Sequence, residues 1–268
     1  MIYLCHVDPN YSSAVVQSEL CRKTFIEHNQ SGKFIIIRKS KEDLKEYYTE
    51  YNLDYDYGPY NRHIAIMNYI NKNSLFNEDI MVLDPDMFFT RKITVDKIND
   101  DEFFGTQWTF PNADIMKNIK RRIPGYHDNS SFSFSAPYYA KGSVIAKLAK
   151  LILIYDKITR DVIRNSKIYS PGQLWISEMY TQSVVINLLK IESKYTDLSS
   201  FCKWDHETDY DEISIFHYPW EMIGTRSSIN KRDMHLADKM QTNLLKCGSP
   251  KGKYSKILYD FLKKEYLK

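Results

Sequence analysis

The sequence predicts an α/β protein in which helices flank a mostly parallel central sheet, folded as a single domain. Short apolar strands alternate with helices through the first half of the chain, a pattern typical of parallel sheets covered on both faces. The continuous apolar run at residues 80–83 is typical of a strand buried within such a sheet. With 268 residues and no repeats or low-complexity linker, the chain can bury one sizeable core.

The elements follow from apolar periodicity and from Gly, Pro and Ser punctuation. Strands are predicted at residues 2–7, 34–38, 80–83, 102–108, 132–139 and 213–217. Helices are predicted at about residues 14–28, 41–51, 62–70, 143–158 and 174–189. The first half should therefore form the parallel sheet, and the second half is mixed.

Composition indicates an ordinary globular protein, with 43% hydrophobic and 26% charged residues. The net charge of +3 is too small to indicate a nucleic-acid partner. The basic residues near the C-terminus suit a solvated helical face better than a membrane or polyanion surface. No run approaches the roughly 20 apolar residues of a membrane span.

The cysteines and the N-terminus predict a reducing, cytoplasmic location. The four cysteines are widely spaced without a CxxC pair, which argues against a zinc site. Cys5 lies in an apolar strand and should be a buried thiol. The opening MIYLCHVDPN has no basic region before its apolar residues, so no signal peptide is predicted.

The stretch IMVLDPDMFF contains the leading chemical clue, because Asp84 and Asp86 follow the predicted strand at 80–83. Ligands of open α/β sheets bind at the carboxyl ends of the strands. Two neighbouring carboxylates repel each other unless a cation lies between them, and a divalent ion bridging to phosphate is a common occupant. The alternative is a solvated Asp-Pro-Asp turn. The dinucleotide GxGxxG pattern, the P-loop, the G-x-S-x-G elbow and HExxH are all absent.

Four segments resemble the hydroxyproline O-arabinosyltransferase and peptidyl-serine galactosyltransferase group, in the same order along the chain. They are YGPYNRHIAIMNYI (57–70), IMVLDPDMFF (80–89), WISEMYTQSVVINLL (175–189) and IFHYPW (215–220). The polar turn PGYHDNSSFSFSAPYYAK (124–141) is a weaker match, and His63 stands where that group has proline.

The resemblance implies a GT-A-like, Rossmann-like glycosyltransferase domain over residues 1–268. Residues of about 1–110 would form the nucleotide-sugar-binding half, and about 111–268 the acceptor-binding half with C-terminal helices. The implied reaction moves a sugar from a nucleotide-diphosphate donor, expected to be a UDP-sugar, to a hydroxyl of a glycan or protein with retention of configuration. The implied cofactor is Mn²⁺ or Mg²⁺.

The resemblance also assigns the metal site. Asp86 would be the direct ligand, Asp84 would reach the ion through water or hold the ribose, and His217 would be a third ligand from a late strand. An imidazole among the ligands favours manganese over magnesium. From the residues alone, His217 could equally be a hydrogen-bonded histidine without a metal.

The nucleotide would lie at the end of the first strand. His6, Val7 and Asp8 stand there, where base and ribose bind in such sheets, although a plain strand-to-turn exit is the alternative. Arg62 has the planar fork that suits a diphosphate, and a surface ion pair is the alternative. Asn61 would support the turn or reach the ribose.

Glu178 and Trp175 are the candidate sugar and acceptor residues. They are three residues apart, so they share one face of a helix; Trp175 could stack on a sugar while Glu178 binds hydroxyls. Such a carboxylate is the general base of an inverting enzyme, whereas in a retaining enzyme it would position or stabilise. An ordinary exposed helix glutamate is the alternative. Four further candidates for sugar hydroxyls are Gln107, Trp108, Asn129 and Ser130.

Three other functions compete with sugar transfer. A metal-dependent phosphohydrolase would use the same carboxylates, usually with further ligands for a second metal. A glycoside hydrolase needs two carboxyls across a cleft, whereas Asp84 and Asp86 project from one loop. A non-catalytic carbohydrate-binding protein on a transferase scaffold would bind without turnover.

Overall fold

The structure is a computed structural model of the chain. It describes residues 1–95, 97–107, 112–126, 132–167, 169–201, 213–217, 221–223, 229–246, 249 and 253–267.

The described chain divides into two compact units that are interleaved along the sequence. The first unit comprises Met1–His6, Ile35–Leu83 and Asp96–Thr196, and the second comprises Val7–Phe34, Asp84–Val95 and Asp197–Lys268. The single domain with functional halves that meet near residue 110 stays a prediction.

The secondary structure alternates strands and helices through the first half of the chain. The strands are β1 (Ile2–Val7), β2 (Lys33–Arg38), β3 (Asp79–Leu83), β4 (Met87–Phe89), β5 (Glu102–Gln107), β6 (Phe134–Lys141), β7 (Glu192–Tyr195), β8 (Ser199–Phe201), β9 (Ile215–His217), β10 (Glu221–Ile223) and β11 (Ile229–Asn230). The α-helices are α1 (Ser12–Glu27), α2 (Lys45–Glu50), α3 (Tyr60–Lys72), α4 (Ala113–Arg122), α5 (Gly142–Arg164), α6 (Pro171–Trp175), α7 (Ser177–Val185), α8 (Ala237–Lys246) and α9 (Lys253–Tyr266). Short 3₁₀ helices occur at Glu42–Leu44, Ile186–Leu189 and Lys231–Asp233.

A six-stranded sheet in the order β2-β1-β3-β6-β5-β7 is the centre of the first unit. β1 pairs with β3 in parallel, with Leu4 opposite Val82, and β5 pairs with β7 in parallel. β6 is antiparallel to both β3 and β5, so β1, β3, β5 and β7 all run one way and β6 runs the other. The expected α/β class, with a mostly parallel sheet flanked by helices, is therefore confirmed.

The second unit contains a three-stranded sheet, β4-β9-β8, and a two-stranded sheet, β10-β11. The side chains of Phe88 on β4 and Phe216 on β9 pack edge to face, with ring centroids 5.2 Å apart. They belong to a buried apolar cluster with residues of α1, α8 and α9, including Leu20, Leu244 and Leu262. The late strand predicted at residues 213–217 is confirmed in its second half as β9.

The helix predicted at residues 174–189 is interrupted in the structure. α6 begins at a Ser170 cap, with Pro171 in its first turn, and ends at Trp175. Ile176 separates it from α7, and a 3₁₀ turn follows at Ile186–Leu189. The helix predicted at residues 41–51 is likewise a 3₁₀ turn followed by the short α2.

No described helix is long and apolar enough to cross a membrane. Cys5 is buried, as its place in an apolar strand predicted, and Cys21 is a second buried cysteine.

Candidate functional site

Asp84, Asp86 and His217 come together in the second unit. One ligand atom from each lies within 4.8 Å of the other two. The Nε2 atom of His217 is 3.2 Å from Oδ1 of Asp86 and 3.9 Å from Oδ2 of Asp84. Asp86 and His217 are buried, whereas Asp84 is partly exposed.

Local pairing explains why these three side chains meet. Asp84 and Asp86 flank Pro85 in the turn between β3 and β4. β4 pairs antiparallel with β9, and Met87, the residue after Asp86, is directly opposite His217. The ladder thus fixes the imidazole beside the turn, although the residues are far apart in sequence.

The three ligand atoms suit a divalent cation in type and in spacing. Carboxylate oxygens and imidazole nitrogens bind such ions at about 2.0–2.6 Å. Two ligands of one ion are then at most about 4–5 Å apart, and the three ligand atoms all lie within 4.8 Å of one another. Two oxygens and one nitrogen are also compatible with manganese. Among the described residues this is the only group of three such side chains.

The negative charge of the turn affects a buried residue of α1, Cys21. Burial raises the pKa of the Cys21 thiol, and the charge of Asp86 raises it further. Cys21 therefore stays a neutral thiol beside the cluster.

A second polar arrangement lies in the first unit, where Arg62 of α3 pairs with Glu178 of α7. The Nη2 atom of Arg62 is 3.1 Å from Oε1 of Glu178, and both side chains are largely buried. A buried pair of this kind has a defined geometry, unlike a mobile surface pair. Arg62 therefore forms a largely buried ion pair rather than the surface pair of the alternative, and Glu178 is not an exposed helix glutamate. Diphosphate binding by Arg62 stays a prediction.

Trp175 precedes this pair and is 54% exposed, which is unusual for so large an apolar ring. Its ring contacts that of Tyr57 edge-on, with centroids 6.1 Å apart. The hydroxyl of Tyr57 donates to the carbonyl oxygen of Trp175 at 2.7 Å and accepts from the backbone N–H of Glu178 at 3.2 Å. Tyr57 was not singled out by the sequence, although it is the first residue of the segment 57–70.

Asp156 of α5 is the centre of a buried hydrogen-bond network below the start of α7. It is fully buried and accepts hydrogen bonds from the hydroxyls of Tyr60, Ser177 and Thr181 at 2.8, 3.0 and 2.6 Å. Burial raises the pKa of Asp156, and these hydroxyls and Arg160 oppose that rise. A lone aspartate in an amphipathic helix gave no sequence signal of this role.

The residues predicted for nucleotide binding have partners of their own. His6 Nε2 is 3.0 Å from the carbonyl oxygen of Lys39. Val7 is buried at the end of β1, and the carboxylate of Asp8 accepts from the backbone N–H of Asn10 at 2.9 Å. Asn61 is buried and its side-chain oxygen accepts from the hydroxyl of Tyr48 at 2.6 Å. Only the Asp8 contact lies within the turn after β1, and nucleotide binding by these residues stays a prediction.

The remaining candidates for sugar binding are Gln107, Trp108, Asn129 and Ser130. Gln107 is exposed at the end of β5. Trp108, Asn129 and Ser130 lie outside the described residues.

His63 is a buried histidine next to Arg62. It is 1% exposed, and neither ring nitrogen has a hydrogen-bond partner among the described residues. Burial lowers its pKa well below the usual 6.5, and Arg62 and His6 lower it further. The imidazole is therefore neutral in the folded protein at neutral pH.

We expect His63→Leu to raise the free energy of unfolding and to reduce its pH dependence. Below about pH 6.5 the unfolded chain binds a proton at this position and the folded protein does not. Stability is thus fully present above that pH and falls as the pH drops, by up to about 1.4 kcal/mol per pH unit. Leucine removes this loss without removing a hydrogen bond. Urea unfolding between about pH 7.5 and 5.5 measures the free energy of unfolding, with His235→Leu as the exposed control. Equal slopes of that free energy against pH in wild type and His63→Leu would contradict the prediction.

Similarity to known proteins does not assign a family to the chain. No protein-family model matches the sequence, and no curated protein matches it.

Proposed function

We propose that the protein is a metal-dependent glycosyltransferase with a GT-A-like fold, related to the hydroxyproline O-arabinosyltransferase and peptidyl-serine galactosyltransferase group. It moves a sugar from a nucleotide-diphosphate donor, a UDP-sugar, to a hydroxyl of a glycan or protein with retention. The observation that carries the proposal is the Asp84–Asp86–His217 cluster, in which the two aspartates follow the buried strand β3 and the histidine is on β9.

The cluster has the chemistry that a diphosphate donor requires. A bound Mn²⁺ or Mg²⁺ stabilises the negative charge of the leaving diphosphate as a Lewis acid. Asp86 and His217, both buried, hold the ion in a fixed position. Asp84, whose side chain is 19% exposed, reaches the ion through water or binds the ribose.

In this proposal Glu178 binds sugar or acceptor hydroxyls, and its partner Arg62 is the candidate for the diphosphate. The oxygens of a carboxylate accept hydrogen bonds from hydroxyls, and the ion pair with Arg62 fixes the orientation of this one. With the donor phosphate taking the proton from the acceptor, Glu178 positions the substrate and the exposed Trp175 ring packs against a sugar face.

The proposal is tested by calorimetric titration of the full chain with nucleotides and nucleotide sugars, in Mn²⁺ and in chelator. We expect UDP and at least one UDP-sugar to bind in Mn²⁺ and to lose that binding in chelator. No binding of any nucleotide diphosphate in the presence of Mn²⁺ would overturn the donor site.

Product analysis separates the competing functions. A transferase slowly releases UDP and free sugar from its donor without acceptor, and NMR of the first-formed anomer reports retention. Cleavage of the diphosphate bond of the UDP-sugar, to UMP and a sugar 1-phosphate, would instead indicate a phosphohydrolase. Tight metal-dependent binding without any cleavage or transfer would indicate a non-catalytic scaffold.

A further inference from the structure

We propose that Tyr57 is a positioning residue whose hydroxyl clamps the junction between α6 and α7, fixing the Trp175 ring and the Glu178 carboxylate in their working places. The contacts that carry this inference lie entirely within the first unit. Its catalytic consequence rests on the proposed function.

The junction leaves backbone groups that need partners. The last carbonyls of a helix and its first N–H groups have no partner within that helix. Trp175 is the last residue of α6, and Glu178 is the second residue of α7. Ile176, which caps α7, provides no side-chain hydrogen bond.

One hydroxyl serves both helices. It donates to the carbonyl oxygen of Trp175 at 2.7 Å and accepts from the N–H of Glu178 at 3.2 Å. A tyrosine from a distant segment thus binds the backbone groups at the helix ends, as a Ser or Asp cap does from a neighbouring position. Because Glu178 is held through its own backbone, the hydroxyl controls where its carboxylate meets Arg62.

The Tyr57 ring is itself held on two sides. The Arg160 guanidinium carbon lies 4.1 Å from the ring centroid, and the Tyr60 ring packs edge-on at 4.7 Å. Arg160 is anchored by Asp54, whose Oδ2 is 2.7 Å from its Nη2. Burial raises the pKa of Tyr57 well above 10.0, and Glu178 and Asp156 raise it further, so the hydroxyl keeps the proton that it donates.

Tyr57→Phe tests the clamp because it removes the hydroxyl and keeps the ring. The first readout is ¹⁹F NMR of the full chain labelled with 5-fluorotryptophan, in which the Trp175 signal is assigned by its loss in Trp175→Phe. We expect that signal to shift or broaden in Tyr57→Phe. Tyr259→Phe is the matched control, since this buried tyrosine also donates to a backbone carbonyl, that of Leu244 at 3.1 Å.

The second readout is Mn²⁺-dependent hydrolysis of the UDP-sugar that wild type turns over best. We expect Tyr57→Phe to lower kcat roughly tenfold to a hundredfold, the usual effect of a small misplacement, with Mn²⁺ affinity unchanged. If Tyr57 acts through Glu178, Tyr57→Phe should have no further effect on kcat in a Glu178→Gln background.

An unchanged Trp175 signal in Tyr57→Phe would overturn the clamp whatever the activity. Additive losses of kcat in the double variant, or an equal loss in Tyr259→Phe, would overturn its link to Glu178. If wild type neither binds nor cleaves any nucleotide sugar, the proposed function fails, while the ¹⁹F comparison still decides the clamp.

Discussion

Asp86→Asn should abolish the stabilisation of this protein by Mn²⁺. Asp86 is the more buried carboxylate of the cluster and lies 3.2 Å from His217, so an amide there removes a charged ligand and leaves the shape intact. At an ion concentration about 100 times Kd, binding adds about 2.7 kcal/mol to the stability of the wild type. That is a rise in Tm of roughly 5–10 °C for a domain of this size. Thermal denaturation with Mn²⁺ and with chelator measures it.

Several comparisons make the Asp86 result specific. Asp260→Asn, on an exposed face of α9 in the same unit, should keep the full Mn²⁺ response. His217→Gln should weaken Mn²⁺ binding by at least about tenfold, the effect of losing even an indirect contact to a metal. In chelator, Asp86→Asn should melt close to the wild type, since the removed charge also relieves repulsion from Asp84. A wild-type Mn²⁺ response in Asp86→Asn would refute the metal assignment.

More of the candidate metal site than of the contacts around Glu178 could be predicted from the sequence. The apolar run ending at Leu83 predicted a buried strand, and Asp84 and Asp86 follow it directly. His217 was added by resemblance alone. The pairing that places it, Met87 opposite His217, belongs to the three-residue strand β4, which is too short to leave a periodic pattern.

The antiparallel direction of β6 could not be predicted from the sequence either. Its residues Phe134–Lys141 alternate only loosely in polarity although nearly all are buried, and they carry no sign of strand direction. Direction and neighbours are set by long-range pairing, here Val82 with Tyr138, and one strand does not encode them.

The network around Glu178 was unpredictable for the same reason. Apolar periodicity at residues 174–189 indicated one helix, yet the helix is interrupted at Ile176. The groups that fix the break come from elsewhere: Tyr57 precedes α3, and Asp156 is on α5. Local propensity is easily overridden by several hydrogen bonds to buried groups.

Asp156→Ala should be among the most destabilising single substitutions in the first unit, at about 3–5 kcal/mol. It removes the acceptor of three hydroxyls. The Thr181 hydroxyl keeps its hydrogen bond to the carbonyl oxygen of Ser177, at 3.0 Å. The Tyr60 and Ser177 hydroxyls lose the Asp156 oxygen to which both donate. Each buried hydroxyl left without a partner costs about 1–3 kcal/mol, and Arg160 loses a nearby compensating charge. Urea denaturation followed by circular dichroism measures the loss.

Two further variants separate the hydrogen bonds from the charge of Asp156. Asp156→Asn keeps one acceptor oxygen and the volume, and hydroxyls can rotate to accept from its amide, so we expect a cost of only about 1–2 kcal/mol. Burial raises the pKa of Asp156, so losing the charge also recovers part of its desolvation cost. Asp161→Ala, on the same helix with a 49% exposed side chain, should change stability by less than about 0.5 kcal/mol. Equal losses in Asp156→Ala and Asp156→Asn would mean that the charge, rather than the hydroxyl network, stabilises the start of α7.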